Sequence, residues 1–269
     1  MTRALVAVLA PLFVACSGSS PAIDAGFDAG SRVCLDPDAG PAPDAGDVDG
    51  GDFSCAGVAA PTSAVADLVL AGTVTSAGLT RNPVVGATVE LFDPGGTRID
   101  TGTSDADGGA YRVEHAIDCT AYDGYLRASH ADAGFYDFYY YPPAPWRRGR
   151  TELELVIFDA STRNLATLLA MVTVTPGTGA IALGLEDCTR TPITGATVTT
   201  MPAGDVRYVG PGGLPLGPAA QTSTSPKGQA LIFNLPVGNV TVTASVQGRT
   251  LTRTVAVRAD SISAVTLVP

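Results

Sequence analysis

Residues 82–92 read NPVVGATVELF and residues 191–201 read TPITGATVTTM, so one pattern occurs twice in this chain of 269 residues. In both copies a Pro and a Gly-Ala pair precede a run that contains Val and Thr. Such a run, bounded by turn-forming residues, predicts a short β-strand with one buried face. A second match, between TGTSDADGGAYRV at 101–113 and QTSTSPKGQALIF at 221–233, extends the similarity. The chain therefore predicts two copies of one β module.

Short strands are predicted for most of the chain beyond residue 65. Runs such as LVLAGTV, AYRVEH and ELELVIF are rich in strand-forming residues and are separated by Gly, Pro, Asn and Asp. Regularly spaced short strands favour an antiparallel sandwich with a core between two sheets. We therefore predict an all-β fold of two tandem antiparallel β-sandwiches, the first over residues 65–158 and the second over residues 179–269.

Residues 159–178 interrupt this strand pattern. Apolar side chains recur there at helical spacing: Leu165, Leu168, Leu169 and Val172. Asp159 or Ser161 can cap the start of a helix. The pattern predicts a short amphipathic helix packed between the sandwiches, and an irregular connector is the alternative.

The first fifteen residues predict a secretion signal. Arg3 precedes an apolar run from Ala4 to Val14, which is shorter than the roughly twenty residues that a membrane-spanning helix needs. FVAC at 13–16 resembles a bacterial lipobox, with Phe13 where Leu is usual. This resemblance implies that Cys16 becomes the N-terminus and anchors the protein through attached acyl chains. Because Ser17 rather than Asp follows it, we expect a cell-envelope lipoprotein of the outer membrane.

Residues 16–64 predict a disordered acidic tether. Asp-Ala-Gly recurs at 24, 28, 38 and 44, and low apolar content opposes folding. Eight aspartates and Arg32 leave this segment with a charge of −7, out of −10 for the chain. An EF-hand needs Gly and Glu where counting from Asp38 finds Pro43 and Asp49, so a solvated spacer is favoured over calcium binding. The body is only mildly acidic, which excludes nucleic acid as an expected partner.

The cysteines predict two disulfides. With Cys16 acylated, four of the five cysteines remain, an even number in an oxidising compartment: Cys34, Cys55, Cys119 and Cys188. Three pairings are possible. We favour Cys34 with Cys55, closing a loop at the end of the tether, and Cys119 with Cys188, joining two parts of the body.

The stretch from Gly72 to Val113 resembles the carboxypeptidase regulatory-like, transthyretin-like β-sandwich family. It contains Gly-x-Val, then Pro-hydrophobic-x-Gly-Ala-x-Val, then a Ser-Asp turn before Tyr111, with Ser104 in place of the family's Thr. The second copy contributes TPITGATV and PKGQALIFNLPVGNVTVTA. The resemblance implies Ig-like or transthyretin-like sandwiches that act as accessory modules, without catalytic residues to carry over.

Two histidines, His115 and His130, are the main candidates for catalytic chemistry. The intradiol dioxygenases are also β-sandwiches and bind iron through two Tyr and two His. The closely spaced histidine pair of that family is missing here, so a β-sandwich metalloenzyme is the least favoured reading, and we expect no catalytic residue, metal or cofactor. Asp105 and Asp107 favour a hairpin turn over a calcium loop.

FYDFYYYPPAPWRRGR at 135–150 concentrates aromatic residues and arginines. Strand alternation separates Tyr136, Phe138 and Tyr140 on one face from Phe135, Asp137, Tyr139 and Tyr141 on the other. Candidate ligand-binding residues are Tyr139, Tyr141, Trp146, Arg147 and Arg148. They favour a surface for a protein or glycan partner, and the alternative is that the rings cover the helix or the second sandwich. We thus expect a non-catalytic interaction or structural module, with a carbohydrate-binding surface protein as the alternative.

Overall fold

The computed structural model describes Cys34 and residues 51–78, 80–132 and 134–269. Within these residues the chain forms fourteen strands and one α-helix, in two halves. The strands of the first half are β1 (Asp67–Ser76), β2 (Thr88–Phe92), β3 (Arg98–Thr103), β4 (Ala110–Ala116), β5 (Tyr125–Ser129), β6 (Phe135–Tyr141) and β7 (Arg150–Asp159). Helix α1 (Ala160–Leu169) follows. The strands of the second half are β8 (Gly179–Leu185), β9 (Thr197–Met201), β10 (Asp205–Tyr208), β11 (Gln229–Leu235), β12 (Gly238–Val246), β13 (Arg249–Val257) and β14 (Ser261–Leu267).

The two halves repeat most of their strand pairing, except that β3 pairs with β2 whereas β10 pairs with β11. In the first half β1 pairs with β4 antiparallel and with β7 parallel, and in the second half β8 pairs in the same way with β11 and β14. The other sheet contains β3, β2, β5 and β6 in the first half and β9, β12 and β13 in the second. The predicted all-β sandwich fold and its internal repeat are confirmed, but the parallel pairs correct the expectation of purely antiparallel sheets.

One hydroxyl explains the Gly-Ala pattern that occurs in both copies. Ser104 donates to the carbonyl of Val84 at 2.6 Å and accepts from the amide of Ala87 at 2.8 Å. Thr224 makes the same two bonds in the second half, to Ile193 and Ala196, at 2.8 and 2.9 Å. Both hydroxyls are buried, so each ties the turn before β2 or β9 to a distant loop.

The halves are fused through one sheet. Strand β6 pairs in parallel with β14, from Asp137 opposite Ser261 to Tyr141 opposite Val265. This pairing creates the central sheet, with strand order β10-β11-β8-β14-β6-β5-β2-β3. An unpaired strand edge leaves backbone N–H and C=O groups without partners, and β14 provides partners for those of β6. The two sandwiches therefore share one continuous sheet.

The two cores lie on opposite faces of the central sheet. Successive strand residues point to opposite faces, so on β14 Ile262 joins the first core while Val265 and Leu267 join the second. The first core is covered by β1, β4, β7 and α1, and the second by β9, β12 and β13. One strand thus belongs to both cores.

Helix α1 begins where the sequence predicts, but it buries a different face. The carboxylate of Asp159 accepts a hydrogen bond of 2.7 Å from the amide of Thr162 and caps the helix. The predicted apolar stripe is wrong, because Leu168 is 74% exposed while Ala166 and Ala170 are buried. Of the predicted stripe, Val172 packs against the first core, whereas Leu165 and Leu168 are exposed.

The disulfides pair differently from the prediction. Cys34 bonds to Cys119 and Cys55 bonds to Cys188, with Cα–Cα distances of 5.5 and 5.7 Å, so the favoured pairs Cys34–Cys55 and Cys119–Cys188 are wrong. The two N-terminal cysteines therefore bond to different halves, Cys34 to the first and Cys55 to the second.

The described end of the acidic segment belongs to the body. Phe53 is buried in the second core, and the amide of Asp52 donates to Asp187 at 2.9 Å. Ser63 forms a β-bridge with Thr120. Residues 51–64, which the prediction assigned to the tether, therefore belong to the body. The signal segment, Cys16 and the other tether residues except Cys34 lie outside the described residues.

Candidate functional site at the junction of the two halves

The outer face of the first half is the most distinctive surface of the central sheet. Val89, Leu91 and Leu126 point into the first core, so the alternate residues of β2, β5 and β6 point away from it. No other sheet covers this face in the part of the chain that the structure describes. Its aromatic and charged residues are Glu90, Phe92, Tyr125, Arg127, Asp137, Tyr139 and Tyr141.

Arg258, from the turn between β13 and β14, reaches across to this face. Its guanidinium lies 4.0 Å from the ring centroid of Tyr139 and 5.0 Å from that of Tyr125. It also donates hydrogen bonds of 2.8 Å to the hydroxyls of Tyr125 and Tyr141. Cation–π contacts and charge-assisted hydrogen bonds therefore attach the second half to three tyrosines of the first. We call these four residues the junction cluster.

A row of alternating charges continues from the junction cluster toward β3. Arg127 lies 2.7 Å from the carboxylate of Asp137 and 3.0 Å from that of Glu90. Arg98 approaches the other oxygen of Glu90 at 3.0 Å. Glu90 is almost fully buried, and the two arginines compensate its charge.

The pKa shifts of Tyr125, Tyr139 and Arg258 keep these three groups in their ordinary neutral-pH states. Burial is the main cause that raises the pKa values of Tyr125 and Tyr139, against the opposing charge of the nearby arginines. Burial would lower the pKa of Arg258, but its hydrogen bond to Tyr141 and the surrounding tyrosines raise it overall. A general acid or base works best with a pKa near the operating pH. These shifts lead away from neutrality and do not prepare the face for proton transfer.

The five predicted ligand-binding residues do not form one exposed surface. Tyr139 is 7% exposed beneath Arg258, and Trp146 is 6% exposed in the first core. Tyr141 is half-buried and donates to the carbonyl of Ala256 at 3.2 Å. Arg147 donates to the carbonyl of Ser63 at 2.7 Å, whereas Arg148 is exposed. The expected aromatic stacking platform is therefore corrected, since Trp146 and Tyr139 are both buried against the chain itself.

The histidines lie apart. His115 on β4 meets the ring of Tyr122 edge-on at 4.8 Å, before β5 begins. His130 follows β5 and meets the ring of Phe135 at 5.1 Å. No group of three or more His, Cys, Asp or Glu side chains is arranged for a metal ion in the described ranges.

Asp105 has the turn role that the sequence favours. Its carboxylate accepts hydrogen bonds from the amides of Asp107 and Ala110, at 3.1 and 3.0 Å. These bonds stabilise the turn before β4.

An open groove of about 350 Å³ lies beside α1. It is lined by polar and apolar residues of the helix and of two loops: Arg163, Asn164, Thr167, Val174, Pro176 and Asp260. The guanidinium of Arg163, one of the two charged groups that line the groove, stacks over the ring of Tyr136 at 4.2 Å. Across the described segments, no helix has the length and apolarity to span a bilayer.

Arg258 is the important residue that the sequence does not reveal. It stands in AVRADS, a short polar turn between two strands, where a lone arginine is ordinary. The aromatic concentration in β6 indicates that something covers this face, but it does not identify the covering side chain.

Comparisons with known proteins give only distant similarities. No family model matches the chain, and no curated protein matches it. The Bacillus anthracis TIE protein is 12% identical with a TM-score of 0.25, over 76% of this chain and 34% of that one. The shaft pilin spaA from Lactobacillus rhamnosus GG is 10% identical with a TM-score of 0.25, over 76% of this chain and 98% of that one.

The major pilin RrgB from Streptococcus pneumoniae is 11% identical with a TM-score of 0.22, over 77% of this chain and 49% of that one. This chain spans about a third of the length of the Bacillus protein. Similarities of this size carry no argument about function. The resemblance to the transthyretin-like family stays a prediction.

Proposed function

We propose that this chain is a non-catalytic structural or interaction module of the cell envelope, held to the membrane by a lipid on Cys16. The observation that carries the proposal is the fusion of the two halves through β6 and β14. Domains joined only by a linker move relative to one another. A shared sheet removes such a hinge, so this body can hold a surface at a constant orientation.

Further contacts support the same reading. Arg258 joins the second half to the tyrosines of the first. The disulfides of Cys34 and Cys55 fasten the N-terminal segment to both halves. These connections are independent of each other, which suits a protein that bears load or presents a partner surface.

The chemistry of the junction supports a non-catalytic role. Its arginines are occupied by tyrosines and carboxylates, and its pKa shifts lead away from neutrality. The arginines, tyrosines and carboxylates of the junction therefore stabilise contacts within the body itself.

The membrane anchor is tested on the N-terminal peptide of protein purified from a bacterial envelope. We expect mass spectrometry to find Cys16 at the N-terminus with attached acyl chains, and the protein to sediment with membranes. Cys16→Ser should release it into the soluble fraction, and Ser17→Asp should retain it in the inner membrane. An unmodified Cys16 in membrane-free protein overturns the anchor.

The rigid body is tested by the distance between the halves. Spin labels attached without cysteine chemistry at the exposed Thr101 of β3 and Thr199 of β9 should give one narrow distance distribution. A broad or double distribution contradicts the proposal of a single body.

A further inference from the structure

The groove beside α1 carries two opposite charges that do not meet. Arg163 stands on the helix and Asp260 in the turn between β13 and β14, and both line this space of about 350 Å³. Neither side chain forms an ion pair with any residue that the structure describes. Pockets of this size hold small molecules and orient them with a few polar groups. The groove therefore presents a cation and an anion to the same space.

Tyr136 orients Arg163 without using its hydrogen-bond donors. The guanidinium lies over the Tyr136 ring, 4.2 Å from the ring centroid. A stacked ring covers one face of the guanidinium, whereas the N–H groups lie in its plane and point outward. Among the described residues, none accepts a hydrogen bond from this guanidinium. Its planar fork of donors is thus available to a carboxylate in the groove.

Asp260 is held in place by its backbone rather than by its side chain. Its amide donates to the carbonyl of Thr178 at 3.0 Å. Its φ of 49° lies in the left-handed region, which Asp adopts more readily than most residues. From the described part of the chain, its carboxylate accepts a single long hydrogen bond, of 3.4 Å, from the amide of Gly177. Most of the acceptor capacity of Asp260 is therefore open to an ammonium group.

Two polar side chains of α1 add one donor and one acceptor to the groove. Thr167 lies one turn after Arg163, and its hydroxyl donates to the carbonyl of Asn164 at 2.9 Å. Because that hydrogen is used, the hydroxyl oxygen can only accept from a ligand. The side-chain amide of Asn164 is exposed and can donate. Val174 and Pro176 form the apolar part of the wall.

The cavity next to the groove excludes a ligand with a long hydrocarbon tail. It lies between α1 and the central sheet, shares Arg163 with the groove and is otherwise apolar, with Ala166 and Ile181 in its lining. Its volume of about 20 Å³ is enough for roughly one water molecule. An acyl chain has no room there, so a ligand of Arg163 has to lie in the polar groove.

We propose that the groove beside α1 binds a small zwitterion, a molecule with one carboxylate and one ammonium group, such as an amino acid. The carboxylate pairs with Arg163 and Asn164, and the ammonium pairs with Asp260 and Thr167. Charge-assisted hydrogen bonds at both ends distinguish this ligand from molecules with a single charge. This binding site goes beyond the structural role proposed above and does not depend on the membrane anchor.

NMR titrations of the full, oxidised chain test this inference. The probes are ω-amino acids of increasing length, from glycine to ε-aminocaproate, each compared with the simple carboxylate and the simple amine of matching length. At one length the zwitterion should bind about tenfold more tightly than either one-charge compound, because each end adds a charge-assisted hydrogen bond. The backbone amides of Asn164, Thr167 and Asp260 should shift during that titration.

Two variants each remove one end of the site. Arg163→Gln should abolish the advantage of the zwitterion over the matching amine, and Asp260→Asn should abolish its advantage over the matching carboxylate. Asn also adopts the left-handed backbone, so the second substitution keeps the turn. Arg148→Gln and Asp118→Asn are the matched controls and should leave the affinities unchanged. Both positions are exposed and outside the groove, and Asp118 also has a positive φ, of 43°.

The comparison of ligands in the unaltered chain is the decisive measurement. The inference is overturned if no zwitterion of the series binds more tightly than its one-charge counterparts. A carboxylate that binds as tightly as the matching zwitterion would assign the groove to simple anions and also overturn it. So would a preference for the zwitterion that both Arg163→Gln and Asp260→Asn leave intact, because that preference would arise elsewhere on the protein.

Discussion

The two halves share a pairing scheme and differ in what surrounds their equivalent strands. Opposite Arg127, β6 carries Tyr139, and at the equivalent position opposite Thr243, β13 carries Thr252. The next outward residues are Tyr141 and Thr254. The tyrosines lie under Arg258, whereas both threonines are exposed. The repeat therefore determines which strands pair. The outward side chains of equivalent strands differ, because Arg258 covers those of β6 whereas those of β13 are exposed.

This difference gives the halves unequal roles. The first half offers an aromatic face and a strand edge that the second half uses. The second half ends in the β13 edge, which no described strand uses. If the halves form one body, a destabilising substitution in either half should lower the free energy of unfolding of the whole body.

Matched cavities in the two cores should have the largest effect. Leu155 lies in the first core and Leu235 in the second, and both are fully buried. Leu155→Ala and Leu235→Ala should each lower the free energy of unfolding by about 2–5 kcal/mol, through lost contacts and a residual cavity. Denaturant unfolding should show one cooperative transition in both variants. Two transitions, of which each variant shifts only one, would mean that the halves unfold separately.

Removing the junction arginine should have the next largest effect. Arg258→Ala removes two hydrogen bonds to tyrosine hydroxyls and contacts with two rings, and should lower the free energy of unfolding by about 2 kcal/mol. Arg258→Lys keeps the positive charge and should recover only part of the lost stability, because a lysine ammonium has no planar fork to reach both hydroxyls. Arg148→Ala, at an exposed position, serves as the control in the same thermal or denaturant unfolding and should change little.

The helix cap should contribute less. Asp159→Ala should lower the free energy of unfolding by about 1 kcal/mol, and Asp159→Asn should lose less because Asn also caps. Burial raises the pKa of Asp159, but the hydrogen bonds from Thr162 and Ser161 outweigh it and lower the pKa below 3.8. The charged cap therefore stabilises the fold at pH above this value, and its contribution disappears as the pH falls through the lowered pKa. Acid titrations of unfolding should show that loss in the natural chain and not in the Asn variant.

A pair of hydroxyl deletions should have the smallest effects and opposite signs. The hydroxyl of Tyr122 is buried without a hydrogen-bond partner among the described residues, and burial is the main cause that raises its pKa to about 12. Tyr122→Phe should leave the free energy of unfolding unchanged or raise it by up to about 1 kcal/mol. Tyr125→Phe removes a bond to Arg258 and should lower it by about 1 kcal/mol.

Unfolding at alkaline pH tests the prediction for Tyr122 a second time. The raised pKa of Tyr122 means that its neutral form is stabilising below the ordinary value of 10.0 and that this contribution disappears as the pH rises through about 12. Tyr122→Phe should remove that part of the alkaline transition. A marked loss of stability at neutral pH in this variant would indicate an unrecognised partner for the hydroxyl.

Local patterns in the sequence were sufficient for several features. The Ser-Asp turn and the cap of α1 each depend on residues a few positions apart, and the structure has both. Alternation within β6 also correctly separates Phe138, in the first core, from Tyr139, on the outer face. Short-range geometry determines these features, so a sequence pattern can carry them.

The candidate site was predictable only in part. The concentration of aromatics in β6 correctly draws attention to Tyr139 and Tyr141, but both are occupied by Arg258 rather than available as a platform. Trp146 lies after the end of β6 and is buried in the first core, where its ring stacks near that of Tyr122. Alternation separates two faces, yet it does not say which face meets a core and which meets a side chain from a distant turn.

The sequence by itself determined that this chain is a duplicated β module with four cysteines for two disulfides and a capped helix between the copies. Only the tertiary structure decided that β6 meets β14, that the two cores use opposite faces of one sheet, and that Cys34 and Cys55 bond to different halves. The physical reason is the range of the interactions. Strand propensity, turns and caps are satisfied within a few residues, whereas edge pairing and cysteine pairing depend on which distant segments the folded chain brings together.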